Sequence, residues 1–273
     1  MNTKFEEAKY INGIVTKMYS VEEISEIRQN NLQLFSAIKE YIFCPECDQP
    51  QLTHNLCQNK HDCLSTRSGQ FHVAGCSYEC EKATKKILTN LSESKNLNNL
   101  HTRLQNCLLL LMKVQAVTDN PFIICKETDK CLLRESTTTQ TAYDKRYYIP
   151  RKRLTRYMDD SIVDDYRIFY GEAEFKWRKI NGYYPYRLNI YHKTQKRLIC
   201  SLGFSDNVYS YLPLECQQIE LGVRFQASVA FYTKLTINTT EIQTDLETVN
   251  KTYYNGIIND SRKISFLDIF PIN

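Results

Sequence analysis

The sequence predicts an α+β protein. A helical N-terminal half holds a small cysteine-rich module, and a C-terminal antiparallel β-barrel or curled sheet of the OB type follows. Three observations predict it. Apolar residues recur at helical spacing over residues 21–40, 78–91 and 97–117. Six of the eleven cysteines and three of the five histidines fall within residues 41–80. From about Tyr147 the chain turns to alternating Tyr, Phe, Ile and Thr. The expected division is a helical domain over 1–120 with the module at 41–82, a basic, aromatic linker over 121–160, and an antiparallel β domain over 161–273.

Ser20 and Glu23 form an S-x-x-E capping box, which starts the first helix. Ile24, Ile27, Phe35 and Ile38 then mark its apolar face. Residues 48–71 have no periodicity and suit a loop-rich segment held by a staple. Leu97, Leu100, Leu104, Leu108, Leu111 and Val114 make one stripe of a packed helix. In "DYRIFYGEAEFKW", Phe169, Ala173, Phe175 and Trp177 share one face of a strand and Glu172, Glu174 and Lys176 the other. Asn181-Gly182 is a strong hairpin signal, and "YPYRLNIYH", "RLICSLGF", "GVRFQASVAFYTKLTI" and "YYNGIIND" supply further strands.

The N-terminus has no apolar core of a signal peptide, and the run "CLLLLMKV" is too short to span a bilayer. The expectation is a cytoplasmic chain with reduced thiols and no membrane partner, which leaves metal binding or chance for the cysteine cluster. Cys44-Pro-Glu-Cys47 supplies two thiolates from one knuckle, and His72 with Cys76 supplies a second pair. Zinc takes four tetrahedral N/S ligands, so Cys44, Cys47, His72 and Cys76 are the expected set, with Cys80, Cys63 and Cys57 as alternates. Cys76 is expected to precede a helix whose positive end favours a thiolate. Neither an H-E-x-x-H helix nor the H-x-E of zinc deaminases is present, so the expected zinc is structural.

"FCPECDQPQL" followed later by "QFHVAGCSYECEKA" resembles the N-terminal zinc-binding module of competence-protein CoiA-like proteins. Cys44 and Cys47 match the first pair of that pattern, Phe71 its central aromatic and Cys76 its closing cysteine. Gln70 stands where the family has its first histidine, and His72 is displaced by one residue. The resemblance implies DNA-related work, in a bacterial mobile-element or phage-defence setting, and a nuclease domain following the module.

A Mg²⁺ nuclease needs paired carboxylates and a lysine, and Asp164, Glu174 and Lys176 offer that linear spacing. Glu174 and Lys176 share the polar face of an amphipathic strand, and a solvated face is the expectation preferred over catalysis there. The alternative to an enzyme is a binding protein. Lys145, Arg146, Arg151, Lys152, Arg153 and Arg156 interleave with tyrosines, and Trp177, Arg178, Tyr184 and Arg187 cluster near one predicted hairpin. Cations that track phosphates and rings that stack on bases point to single-stranded DNA or RNA. A zinc-stabilised, non-enzymatic nucleic-acid-binding protein is the leading expectation. A restriction-like nuclease and a protein–protein adaptor stand as alternatives.

Overall fold

The computed structural model describes residues 5–13, 15–56, 62–74, 76–95, 97–116, 132–134, 146–155, 158, 162–243 and 248–272. The chain forms two compact units. The first comprises residues 1–83 and 109–149, and the second residues 84–108 and 150–273.

The first unit opens with an antiparallel hairpin, β1 (Glu7–Asn12) and β2 (Val15–Ser20), in which Asn12 pairs with Val15 and Gly13, at a φ of +58°, begins the turn. Ser20 then caps α1 (Val21–Asn30): its Oγ accepts from the Glu23 amide at 3.2 Å, and Glu23 Oε2 accepts from the Ser20 amide at 2.8 Å. The helix breaks at Asn31, whose side chain accepts from the Leu34 amide and starts α2 (Leu32–Ile38). β3 (Ile42–Phe43) joins the edge of β1. A second small hairpin follows, of β4 (Leu52–Asn55) and β5 (Cys63–Thr66). Further on, β6 (Glu81–Lys82), β7 (Leu132–Arg134) and β8 (Arg146–Tyr148) form a three-stranded sheet. The core is small and includes Phe5, Ile24, Ile42, Leu52, Leu64 and Tyr78, together with Cys44 and Cys76.

The second unit contains α3 (Lys85–Glu93), the first part of α4 (Asn98–Ala116) and an eight-stranded sheet. Leu97, Leu100, Leu104, Leu108 and Leu111 of the expected stripe are all buried. The strands are β9 (Arg151–Arg153), β10 (Tyr166–Lys179), β11 (Tyr186–Tyr191), β12 (Leu198–Phe204), β13 (Arg224–Lys234), β14 (Thr236–Gln243), β15 (Thr248–Ile258) and β16 (Ile264–Pro271). Their order is β14-β15-β12-β11-β10-β13-β16, with β9 beside β10. β10 pairs with β9 near Ile168–Tyr170 and with β11 from Glu174 onward. It passes between them at Gly171, whose φ of +153° and 3.2 Å approach to Leu154 Cβ leave little room for a side chain. One face of this sheet buries Phe169, Phe175, Trp177, Leu188, Leu202, Phe204, Phe225 and Phe231.

Two fold expectations are corrected. The N-terminal part is built mainly of strands, with α1 and α2 as short helices between hairpins. The large sheet is open: β14 and β16 are its edges, and among the described residues nothing pairs them. An OB-type barrel needs such a closing pair. Here β12 and β15 pair in parallel, which a meander of hairpins would not produce, and the strand run 222–237 divides at Leu235 into β13 and β14 on different parts of the sheet. No helix among the described residues is long and apolar enough to cross a membrane.

Candidate metal centre

β3 delivers Cys44 to the core, and the chain turns back at once through Pro45, Glu46 and Cys47. The Asp48 amide donates to the Cys44 carbonyl at 3.1 Å and the Cys44 amide to the Pro50 carbonyl at 2.9 Å, which closes the knuckle. Asp48 adopts a φ of +58° there, and its carboxylate is held by Lys9 at 2.8 Å. The second pair comes from a tight turn in which the Cys76 amide donates to the Val73 carbonyl. Cys76 precedes a single 3-10 turn (Ser77–Glu79), not the expected α-helix, so no helix dipole acts on it.

Glu46 ties the two halves together. Its Oε1 accepts from the Ser77 amide at 2.8 Å, and its Oε2 accepts from the Ser77 hydroxyl. The knuckle is thereby fastened to the residue after Cys76.

Cys44 Sγ, Cys47 Sγ, Cys76 Sγ and a ring nitrogen of His72 lie within 4.8 Å of one another. Cys44 and Cys76 sulfurs are 3.8 Å apart, and His72 Nδ1 is 3.5 Å from Cys47 Sγ and 3.4 Å from Cys76 Sγ. Ligands at ~2.3 Å (Zn–S) and ~2.0 Å (Zn–N) on a tetrahedron would stand about 3.8 Å (S···S) and about 3.5 Å (S···N) apart. The donor set could hold a metal ion.

Burial pushes the Cys44 thiol up to about 12. Cys76 is raised too, first by the proton it shares with Cys44 and then with Cys47. Cys47 is lowered, because it accepts hydrogen bonds from Cys44 and Cys76. Three sulfurs this close ionise together only with a cation among them. His72 is stacked on Phe5 at 5.7 Å and on Tyr78 at 6.2 Å, and its buried Nε2 has no hydrogen-bond partner among the described residues. Nδ1 is thus the nitrogen turned toward the sulfurs.

Of the alternates, Cys63 lies on β5 and Cys80 ends the 3-10 turn, and neither belongs to the cluster. Cys57 lies outside the described residues. Phe71 is exposed and packs into no core.

The nuclease trio is not assembled. β10 is one unbroken strand, so Asp164 and Glu174 are separated by on the order of 30 Å of extended chain. Glu174 is fully buried, with Lys196 on one oxygen and Arg224 Nη1 at 3.1 Å on the other. Lys176 lies on the same strand, opposite Asn189 and Arg224. Asp164 is exposed, 3.9 Å from Lys234.

The expected nucleic-acid contacts divide. Arg178 is exposed, and Tyr184 and Arg187 are half-buried, all near the β10–β11 hairpin. Trp177 is fully buried and cannot stack on a base, because it sits on the core face of β10. Arg151 and Lys152 are buried in β9 and Arg153 is half-buried. Lys145, Arg156 and the side chain of Arg146 lie outside the described residues.

One constellation was missed in the sequence. Ser25 Oγ is 2.9 Å from His54 Nε2 and donates to Asp62 Oδ2 at 2.7 Å. Arg28 Nη1 is 3.2 Å from His54 Nδ1. A guanidinium only donates, so Nδ1 accepts and the ring proton is on Nε2, pointing at the hydroxyl. This is the reverse of a serine–histidine nucleophile, in which the ring takes the hydroxyl proton.

Burial lowers the His54 pKa from 6.5, with Arg28 adding to the fall and Asp62 opposing it. His54 therefore folds neutral. Its contribution is fully present above the unfolded pKa, roughly 6.5, and is lost as the pH falls through the lower folded value. Urea midpoints between pH 8 and pH 5 are expected to fall less for His54→Gln than for the parent chain.

Comparison of the chain with protein-family models, curated proteins and solved structures finds no match.

Proposed function

We propose that this chain is a non-enzymatic binding protein. One structural zinc ion staples its N-terminal unit, and its C-terminal unit takes single-stranded nucleic acid at the β10–β11 hairpin. The observation that carries the reading is the Cys44–Cys47–His72–Cys76 donor set. Three sulfurs and an imidazole suit zinc and not magnesium or calcium. Four protein ligands also leave no open position for a substrate, which is the mark of a structural and not a catalytic zinc. The resemblance to the CoiA-like module, with its implied DNA-related work, agrees with this donor order.

The nucleic-acid part is supported by Arg178, Lys179 and Tyr183, all exposed at the hairpin, with Tyr183 at 83% relative exposure. Tyr183 and Tyr184 meet edge to face at 4.9 Å. Cations beside exposed rings are what a sequence-tolerant single strand needs. The reading places the chain in a reducing compartment such as the cytoplasm, where the thiols stay available to metal.

Titration of the zinc-loaded protein with single-stranded and duplex oligonucleotides at 50 to 300 mM salt tests it. The expected result is tighter single-strand binding with a log–log salt slope of about −2 to −3, for three or four neutralised phosphates. Strand cleavage with Mg²⁺ would overturn the non-enzymatic reading. No binding at low salt would leave the adaptor.

A further inference from the structure

The second unit contains a cavity of about 420 Å³, in the size range of small-molecule sites. Its lining includes Arg187, Lys234 and Lys263 and, among the described residues, no carboxylate.

Arg187 has no hydrogen-bond or ion-pair partner among the described residues, although it is half-buried. It lies opposite Gly203 in the β11–β12 pair. A Cβ added to Gly203 would fall 2.9 Å from Arg187 Nη1 and 3.2 Å from Tyr184 Cβ, so the guanidinium occupies the space that the glycine leaves. Lys263 is buried, and its ammonium donates to the Ser92 carbonyl (2.6 Å), the Ser92 hydroxyl (2.9 Å) and Asn259 Oδ1 (2.7 Å). All three acceptors are neutral. Its charge is thus held in place by neutral contacts, with the Asp260 and Glu93 carboxylates acting on it from further off, and in a partly enclosed space it still acts on whatever enters. Lys234 adds a third cation, paired with exposed Asp164 at 3.9 Å.

The cavity is also lined by rings and an amide. Tyr166 is stacked on Tyr232 at 5.4 Å, and Tyr184 stands beside Arg187. The half-buried Asn255 carboxamide has no partner among the described residues. Lys263 is partly offset by the nearby Asp260 and Glu93 carboxylates and Lys234 by Asp164, which leaves Arg187 as the uncountered cation among the described residues. That charge beside tyrosine rings and a free amide matches an anionic phosphate attached to a flat heterocycle.

We infer that this cavity binds one nucleotide, either a free nucleoside monophosphate or a single unit of a bound strand. The inference deepens the nucleic-acid reading above and rests on it for the strand case. Arg187 and Lys234 hold the phosphate, a tyrosine ring stacks on the base, and Asn255 pairs with the base edge. Lys263 sets the local potential and does not touch the ligand, since its three protons are already donated.

The test is equilibrium binding to the full zinc-loaded chain of four probes: adenosine monophosphate, adenosine, inorganic phosphate and a single-stranded dodecamer. The expected result is that the monophosphate binds at least ten-fold more tightly than either adenosine or phosphate. Arg187→Gln should weaken the monophosphate ten- to a hundred-fold, the range for losing one charge-assisted contact. Gly203→Ala should weaken it as well, though it removes no charge. Arg178→Gln, at the exposed hairpin, should weaken only the dodecamer. Adenosine binding as well as the monophosphate, or Arg187→Gln leaving monophosphate affinity unchanged, overturns the nucleotide site. If the dodecamer binds and the monophosphate does not, the cavity inference fails while the hairpin reading stands. The opposite pattern supports the cavity and removes the strand.

Discussion

Cys76→Ser is expected to abolish metal binding and to unfold the N-terminal unit. The ligands sit inside that unit's core, where Cys44 and Cys76 are both fully buried among Phe5, Ile24, Ile42, Leu52 and Leu64. Zinc held by such ligands contributes about 10–16 kcal/mol in small zinc-dependent modules, against total stabilities of about 5–15 kcal/mol for whole domains. A unit with so small an apolar core does not survive that loss. Elemental analysis of the parent chain should find one zinc per molecule, and the variant none. Chelator should lower the parent's melting temperature and leave the variant's unchanged. A milder change keeps the test sharp if Cys76→Ser cannot be recovered folded. Glu46→Gln retains the knuckle but loses the charged acceptor for Ser77, and should cost about ten- to a hundred-fold in zinc affinity. Parent protein that is free of metal and melts identically with and without chelator would sink the centre.

Trp177→Ala is expected to destabilise the C-terminal unit by about 3–5 kcal/mol. Trp177 is the chain's one tryptophan, is fully buried, and meets Phe204 at 5.3 Å and Tyr209 at 5.0 Å, both edge to face. Truncation removes all of that contact and leaves a void that the flanking strands cannot close, since Leu188 across the β10–β11 pair is fixed by its own packing. Trp177→Phe should cost far less. It keeps a ring between Phe204 and Tyr209 and removes a buried indole N–H that has no acceptor among the described residues. The urea midpoint read by circular dichroism checks both values. In the parent, oligonucleotide should leave tryptophan emission unquenched, because the ring is closed off from any base. A strong quench, or a loss below about 1 kcal/mol in the alanine variant, would contradict the packing described.

The Cys44–Cys47–His72–Cys76 cluster was legible in the sequence because coordination chemistry restricts both residue type and spacing. The choice of His72 and Cys76 over Cys63 and Cys80 follows from thiolate pairs arriving on tight turns. The helices were legible where an amphipathic stripe ran long enough, as along Leu97–Leu111. The N-terminal strands were missed although their signal was present: Asn12-Gly13 between alternating residues is the same signal read correctly at Asn181-Gly182. The dipeptide is ambiguous by itself. At Asn255-Gly256 it lies inside β15, where glycine is required because a Cβ would meet Thr233 Cγ2 at 2.9 Å. Sheet closure was not legible at all. Alternation reports which residues face a core, and only the three-dimensional pairing decides whether edge strands meet. The same limit explains Trp177 and Lys152, where an aromatic or a cation in a strand reads alike whether it faces solvent or packing.

The chain passes between the two units three times, after residues 83, 108 and 149. During synthesis all four residues of the Cys/His cluster leave the ribosome by residue 76, yet β8, which pairs with β6, emerges some seventy residues later. A loaded metal site would therefore hold a half-built unit in readiness while the intervening segment goes to its neighbour. By the same topology no single proteolytic cut separates the two units with both left whole.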